Sequence, residues 1–232
     1  MMLTRLLANL GYGSRSEVAR LLRSGAVTDA DGAPLHEKSR IAHEQIRVHG
    51  EPVDPPAPLV LMMHKPAGFT CSHEDPGRLI YELLPERFLR RNPKLSSVGR
   101  LDKETTGLLL LTDDGGLLHR WISPKSKCPK TYIAMLARPL AGDEAGIFAS
   151  GGLILRGETK PLHPADFAAI DSQTARVVLH EGRYHQVRRM FAACGNHVTA
   201  LHRSAIGGLE LPADMAAGEW RILPETIWRT IL

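Results

Sequence analysis

VGRLDKETTGLLLLTDDG, residues 98–115, places Asp102 between a cation, Arg100, and a Thr-Thr-Gly triplet that precedes an apolar run of strand length. The Thr-Thr-Gly triplet reads as a turn leading into that strand, so Asp102 is expected at the mouth of a sheet. In isolation an aspartate in such a place caps its own loop more often than it performs chemistry. Asp113 and Asp114, just before Gly115, read as ordinary turn residues after a strand.

Strand-like runs at 60–63, 108–112, 131–137, 176–180 and 198–202 surround this stretch. They alternate irregularly with helix-like segments at 116–122, 143–149 and 185–194. That mixture predicts an α+β fold with a mixed, mostly antiparallel sheet flanked by helices, not a regular βαβ repeat. Two further clusters carry chemical promise. In KSKCPKTYIAML, residues 125–136, three lysines including Lys130 precede Tyr132 with no acid among them, a combination suited to holding phosphates beside a ring on which a base can stack. In EGRYHQVRRMFAACGNHV, residues 181–198, Val187, Met190, Phe191 and Cys194 form one helical face, while Arg183, Arg188 and Arg189 crowd the helix start. The helix dipole there favours anions, so a negative ligand or partner is expected for these arginines.

Toward the N-terminus, EPVDPPAP at 51–58 holds four prolines in eight positions and is expected to be a stiff linker. Residues 1–50 then form a small α/β unit and 59–232 the main domain. Leu3, Leu6, Leu7 and Leu10 share a helical face. Ser14 and Glu17 make a capping box for a second helix whose inward face is Val18, Leu21 and Leu22, with Gly25 as its exit. Arg5, Arg15, Arg20 and Arg23 fall outside the apolar face and should form a basic surface.

Composition narrows the classes. The chain has 232 residues, 43% hydrophobic and 23% charged, a formal charge of +4, three cysteines and eleven histidines. Its apolar runs are far shorter than a bilayer span and its start lacks the pattern of a secretion signal, so a cytoplasmic protein away from membranes is expected. The cysteines are too scattered for a disulfide framework, and neither cysteines nor histidines have metal-ligand spacing. There is no P-loop and no dinucleotide fingerprint. Neither a metal nor a cofactor is expected.

Taken together, GRLDKETTGLLLLTDDG, KTY and EGRYHQVRRMFAACGNHVTALHRSAIGGLEL resemble, in this order, three motifs of the RsuA-type ribosomal RNA pseudouridine synthases. HKPAGFTCSHEDP at 64–76 extends the match, and SRSEVARLLRSGAVT resembles the S4 RNA-binding domain that often precedes that catalytic domain. The resemblance implies that Asp102 is the catalytic aspartate, Tyr132 the ring that stacks on the target base, Arg188 the partner of the aspartate and Leu201 an apolar wall of the pocket. A nucleophilic aspartate must stay ionised where water is excluded, and an adjacent guanidinium favours the ionised form. RNA contacts are expected from Arg5, Arg15, Arg20, Arg100, Lys130, Arg183 and Arg189. The implied substrate is 16S ribosomal RNA, free or in a partly assembled small subunit, with uridine 516 as the implied target. The enzyme is expected to act as a monomer. Alternatives are the same reaction on large-subunit RNA, a non-catalytic RNA-binding assembly factor, and a structural protein with a solvated basic face. TDADGAP at 28–34 departs from the usual turn of S4 domains.

Overall fold

Buried strands of leucine and methionine build the centre of the protein. The computed structural model describes residues 2–231. In chain order its elements are α1 (Leu3–Asn9), α2 (Arg15–Arg23), β1 (Val27–Thr28), β2 (Arg47–Val48), β3 (Glu51–Pro52), β4 (Val60–Lys65) and α3 (Glu86–Leu89). They continue with β5 (Ser96–Ser97), β6 (Thr105–Thr112), α4 (Gly115–Ile122), β7 (Lys130–Leu136), α5 (Glu144–Ala149) and β8 (Asp166–Ala169). The last are β9 (Thr174–Leu179), α6 (Gln186–Ala193), β10 (Val198–Ile206), β11 (Leu209–Glu210), β12 (Trp220–Ile222) and α7 (Glu225–Trp228).

The main sheet runs β12-β4-β6-β10-β7-β9-β8, and within that path only β6 and β10 pair in parallel. The fold is therefore α+β with a mixed, mostly antiparallel sheet, as the residue pattern predicted. The uninterrupted leucines of β6 are explained by burial on both faces. Leu109 and Leu111 join a core with Phe148 and Phe191 from α5 and α6, while Leu108 and Leu110 pack with Trp121 of α4 and Trp228 of α7. A strand covered on both sides loses the polar alternation of a half-solvated one. In β7 only one face is covered: Tyr132, Ala134 and Leu136 are buried, whereas Met135 points to solvent.

Residues 3–48 contribute a separate apolar cluster containing Leu3, Leu7, Val18, Leu22, Val27 and Ile46, beside a three-stranded antiparallel sheet β1-β2-β3. The expected capping box is present: Ser14 Oγ accepts from the Glu17 amide, and the Glu17 carboxylate accepts from the Ser14 amide at 2.7 Å. Residues 51–58, expected to be a stiff linker, carry structure of their own. Glu51–Pro52 forms the edge strand β3, a position where proline's missing donor faces no partner. Asp54 is buried and accepts from the guanidinium of Arg87 on α3, and its own amide donates to the Tyr12 hydroxyl at 3.2 Å. The Asn92 amide donates to the Asn9 carbonyl at 2.9 Å. These bonds fasten the small unit to the large one across the stretch expected to be a stiff linker.

Two other expectations are corrected. Thr105–Gly107 belongs to β6, not to a turn before it. Asp113 is not a turn residue in the ordinary sense, for its carboxylate is buried and paired with buried Arg91 at 2.8 Å. Asp114 caps α4 by accepting from the Leu117 amide. The short elements α3, β5, β8, β12 and α7 were not expected, because two to four residues carry too little periodicity to be read. No helix among the described residues is long and apolar enough to cross a membrane.

Candidate active site

The start of β6, the loop before it and the N-terminus of α6 meet around one cavity of about 650 Å³, a size ordinary for sites that take small ligands or a single nucleotide. Asp102, Tyr132, Leu201, Arg100, Lys130 and Arg183 all contribute to its lining. Asp102 is held by its backbone: its carbonyl accepts from the Thr105 amide at 3.0 Å, and the Leu101 amide donates to Cys71 Sγ at 3.5 Å. Beneath the loop lies Lys65, the last residue of β4, which has no exposed surface. Its ammonium donates to the carbonyls of Pro66, Lys103 and Thr105 at 2.9–3.0 Å. Burial pushes this ammonium below its ordinary value, opposed by Cys71, Glu104 and Asp102. The bonds to Lys103 and Thr105 fix the curve of the loop directly after Asp102, and the bond to Pro66 ties that loop to the end of β4.

The pairing of β6 explains a second buried cation. Strand β10 runs beside Thr105–Gly107 and β5 beside Leu111 and Thr112, so the carbonyl of Leu108 lies between the two partners. Arg203 Nε donates to that carbonyl at 2.8 Å, replacing a strand bond with a side-chain bond. Gly107 permits the close approach. It has φ +108°, and a Cβ there would lie 2.3 Å from the Arg203 carbonyl oxygen. Leu201, two residues earlier on β10, pairs with Thr105 and so stands beside the Asp102 loop.

Helix α6 brings the cations. Arg188 Nε lies 3.9 Å from Asp102 Oδ2, and Arg188 Nη1 donates to the Val198 carbonyl at 2.9 Å, tying the helix to β10. His185, which precedes α6, places Nε2 3.3 Å from Asp102 Oδ1. Among the described residues neither carboxylate oxygen of Asp102 accepts a hydrogen bond, and its side chain is 30% exposed. The carboxylate therefore has a cation and an imidazole near it while its lone pairs remain available. Tyr132 is 9% exposed, in β7 across from Arg203 of β10, and shares the cavity with Asp102. Burial also lowers the Lys130 ammonium, whose bond goes to the Cys128 carbonyl at 3.0 Å.

The remaining expected cations divide into two groups. Arg5, Arg15 and Arg20 are exposed on the small unit, away from the cavity lining, and Arg100 is exposed at the cavity. Arg183 and Arg189 are engaged within the chain. Both bind Glu158, and they also donate to the carbonyls of Lys160, Pro161, Arg156 and Tyr184. The negative partner that the helix start required is thus Glu158, about 25 positions earlier in the chain, and its carboxyl is lowered by those two guanidiniums. Sequence reading overlooked Glu158, Lys65 and Arg203, and gave His185 no role beside Asp102. Of these only Lys65 left a trace, a charge ending the apolar run VLMMHK directly before Pro66.

Residues 59–193 match the family model described as RNA pseudouridylate synthase. Ribosomal small subunit pseudouridine synthase A of Vibrio cholerae is 42% identical, over 99% of this chain and 100% of the relative. The protein of the same name from Escherichia coli is 40% identical over 97% of each. A crystal structure of a pseudouridylate synthase superposes with a TM-score of 0.71 at 37% identity and covers both chains completely.

Proposed function

This chain belongs to the RNA pseudouridylate synthase family, and we propose that it isomerises a uridine of 16S ribosomal RNA to pseudouridine with Asp102 as the catalytic carboxylate. The observation that carries this reading is Asp102 itself: an aspartate whose carboxylate accepts no hydrogen bond among the described residues, beside Arg188 and His185, in a cavity it shares with Tyr132. The names of the full-length relatives support the small-subunit substrate.

In the proposed reaction the target uridine leaves its stack and enters the cavity. Unstacking costs a few kcal/mol, and an aromatic contact of roughly 1–3 kcal/mol per base offsets much of it. Tyr132 supplies that contact and Leu201 the apolar wall. Arg188 keeps a positive charge beside Asp102, favouring its ionised form. The bond from ribose to the base nitrogen breaks, the uracil turns, and the ribose rejoins it at C5; that carbon then loses its proton and the freed nitrogen gains one, so the product is an isomer of the substrate. The exchange is an isomerisation, so no cofactor is part of the proposal. Such a substrate implies a cytoplasmic site of action, and the enzyme is proposed to act as a monomer.

Residues 1–50 are proposed to be an S4-like RNA-binding module, with Arg5, Arg15 and Arg20 toward the phosphates and Arg100 continuing that contact at the cavity. Their exposure supports this, as does the module's own core. A double variant, Arg15→Glu with Arg20→Glu, should weaken RNA binding about 10-fold or more at low salt and flatten its salt dependence. An unchanged salt slope would remove the helical pair from the RNA interface.

The reaction is tested by incubating unmodified 16S RNA, free and in assembling subunits, with the wild-type protein and Asp102→Asn. Pseudouridines are then mapped at single-nucleotide resolution, with uridine 516 inspected first. One new pseudouridine with wild type and none with the variant is expected. A product on large-subunit RNA alone would transfer the reaction to that substrate, and no product on either would leave an RNA-binding factor.

A further inference from the structure

Tyr184 takes no part in the chemistry above, yet at 72% it is the most exposed large apolar side chain among the described residues. It does not stand alone. Its ring stacks on His185 with centroids 3.8 Å apart and planes 17° from parallel, and His185 reaches Asp102 at 3.3 Å. Both rings belong to the cavity lining.

The backbone under this pair is fixed in an unusual form. His185 has φ 48° and ψ 36°, a left-handed conformation that costs free energy for any residue with a side chain. The Tyr184 carbonyl accepts from Arg189 Nη1 at 3.1 Å, and the same nitrogen is held by Glu158 at 2.6 Å. One face of the Tyr184 ring is thus covered by imidazole while the rest of the ring meets solvent. Arg100, exposed at the same cavity, makes no ion pair among the described residues and complements a phosphate backbone. Extruding one nucleotide strips a stacking partner from the next base in the strand, and a rigid aromatic face at the mouth of the pocket is what that base lacks.

We propose that the Tyr184–His185 stack is a platform for the base adjacent to the target uridine in single-stranded RNA, separate from the contact that Tyr132 makes with the target itself. This rests on the reading that the chain isomerises a uridine in RNA. The partner is a nucleobase, taken for its π-face and not for its hydrogen-bonding edge, so little base preference is expected at this position.

The test uses the full-length protein and a 16S-derived RNA carrying 2-aminopurine on either side of the target uridine in turn. Fluorescence reports stacking and Kd, and turnover is followed in parallel. Wild type should quench the probe at one of the two positions. Tyr184→Ala should lose that quenching and weaken Kd about 10-fold, with the kinetic loss in KM more than in kcat. Tyr184→Phe, which keeps the ring, should restore both. Quenching and Kd unchanged in Tyr184→Ala, or a loss in Tyr184→Phe equal to that in Tyr184→Ala, would overturn the platform. Wild-type quenching without pseudouridine formation would instead overturn the proposed reaction and leave the platform standing.

Discussion

Strand β6 is flanked by two aspartates, each paired with an arginine, and the pairs differ in every respect that separates structure from chemistry. Asp113, after the strand, is saturated. Its Oδ2 accepts from Nε and Nη2 of Arg91 at 3.1 and 2.8 Å, and its Oδ1 accepts from the Leu59 amide at 2.7 Å. The two side chains are 1% and 2% exposed, and Arg91 also donates to the Pro55 carbonyl. Asp102, before the strand, is 3.9 Å from Arg188 in a pair with side chains 30% and 23% exposed, and among the described residues no hydrogen bond occupies its carboxylate oxygens. A buried pair offsets its desolvation only when the geometry is good and the remaining lone pairs are filled, as they are on Asp113, although Arg91 Nη1 has no partner among the described residues. Open lone pairs in a partly hydrated cavity are instead a condition for attacking or binding something else.

This contrast orders three outcomes by size. Asp102→Asn, which keeps the shape and removes the charge, should lower turnover by more than about 10³-fold while thermal unfolding stays close to wild type. Retained turnover would show that Asp102 is no more than a loop residue and erase the contrast. Asp113→Ala should do the reverse. It strands the Arg91 guanidinium in the interior, so a stability loss of roughly 3–5 kcal/mol is expected, read as a fall in Tm of about 10 °C. A shift of a degree or two would mean that the interior there admits water. Arg188→Ala should be the smallest of the three. A buried pair there would lead to a stability loss as large as that at Asp113. With both side chains partly exposed, the expected loss is below about 1 kcal/mol, alongside roughly 10²-fold in kcat/KM. A large fall in Tm would indicate that the bond from Arg188 to Val198 matters more to the fold than the charge does to the site.

Why one aspartate could be singled out in the sequence and the other misread follows from where the information lies. Asp102 stands within a local pattern, a cation and a carboxylate before an apolar strand, and the order of motifs around it resembles a family. Asp113 stands before Asp114 and Gly115, which is turn chemistry by every local rule, and its partner Arg91 is 22 positions away. The same holds for Arg183 and Arg189. A crowded helix start correctly signalled a need for negative charge, but the sequence did not reveal that Glu158 meets it from within the chain. The proline-rich segment was legible as a stretch unable to form helix or central strand, and illegible as an edge strand followed by an anchored aspartate.

Periodicity and capping chemistry are local, acting over a few residues, so the sequence by itself determined the principal strands and helices, the capping box at Ser14, the α+β class and the one aspartate worth testing. The tertiary structure decided which charges are buried, which are answered and which remain open, because those outcomes depend on groups brought together from distant parts of the chain. Lys65 under the Asp102 loop, Arg203 in the gap between β10 and β5, and Tyr184 stacked outward on His185 have no signature in spacing. Their energies depend on the dielectric and on partners that exist only once the sheet has assembled.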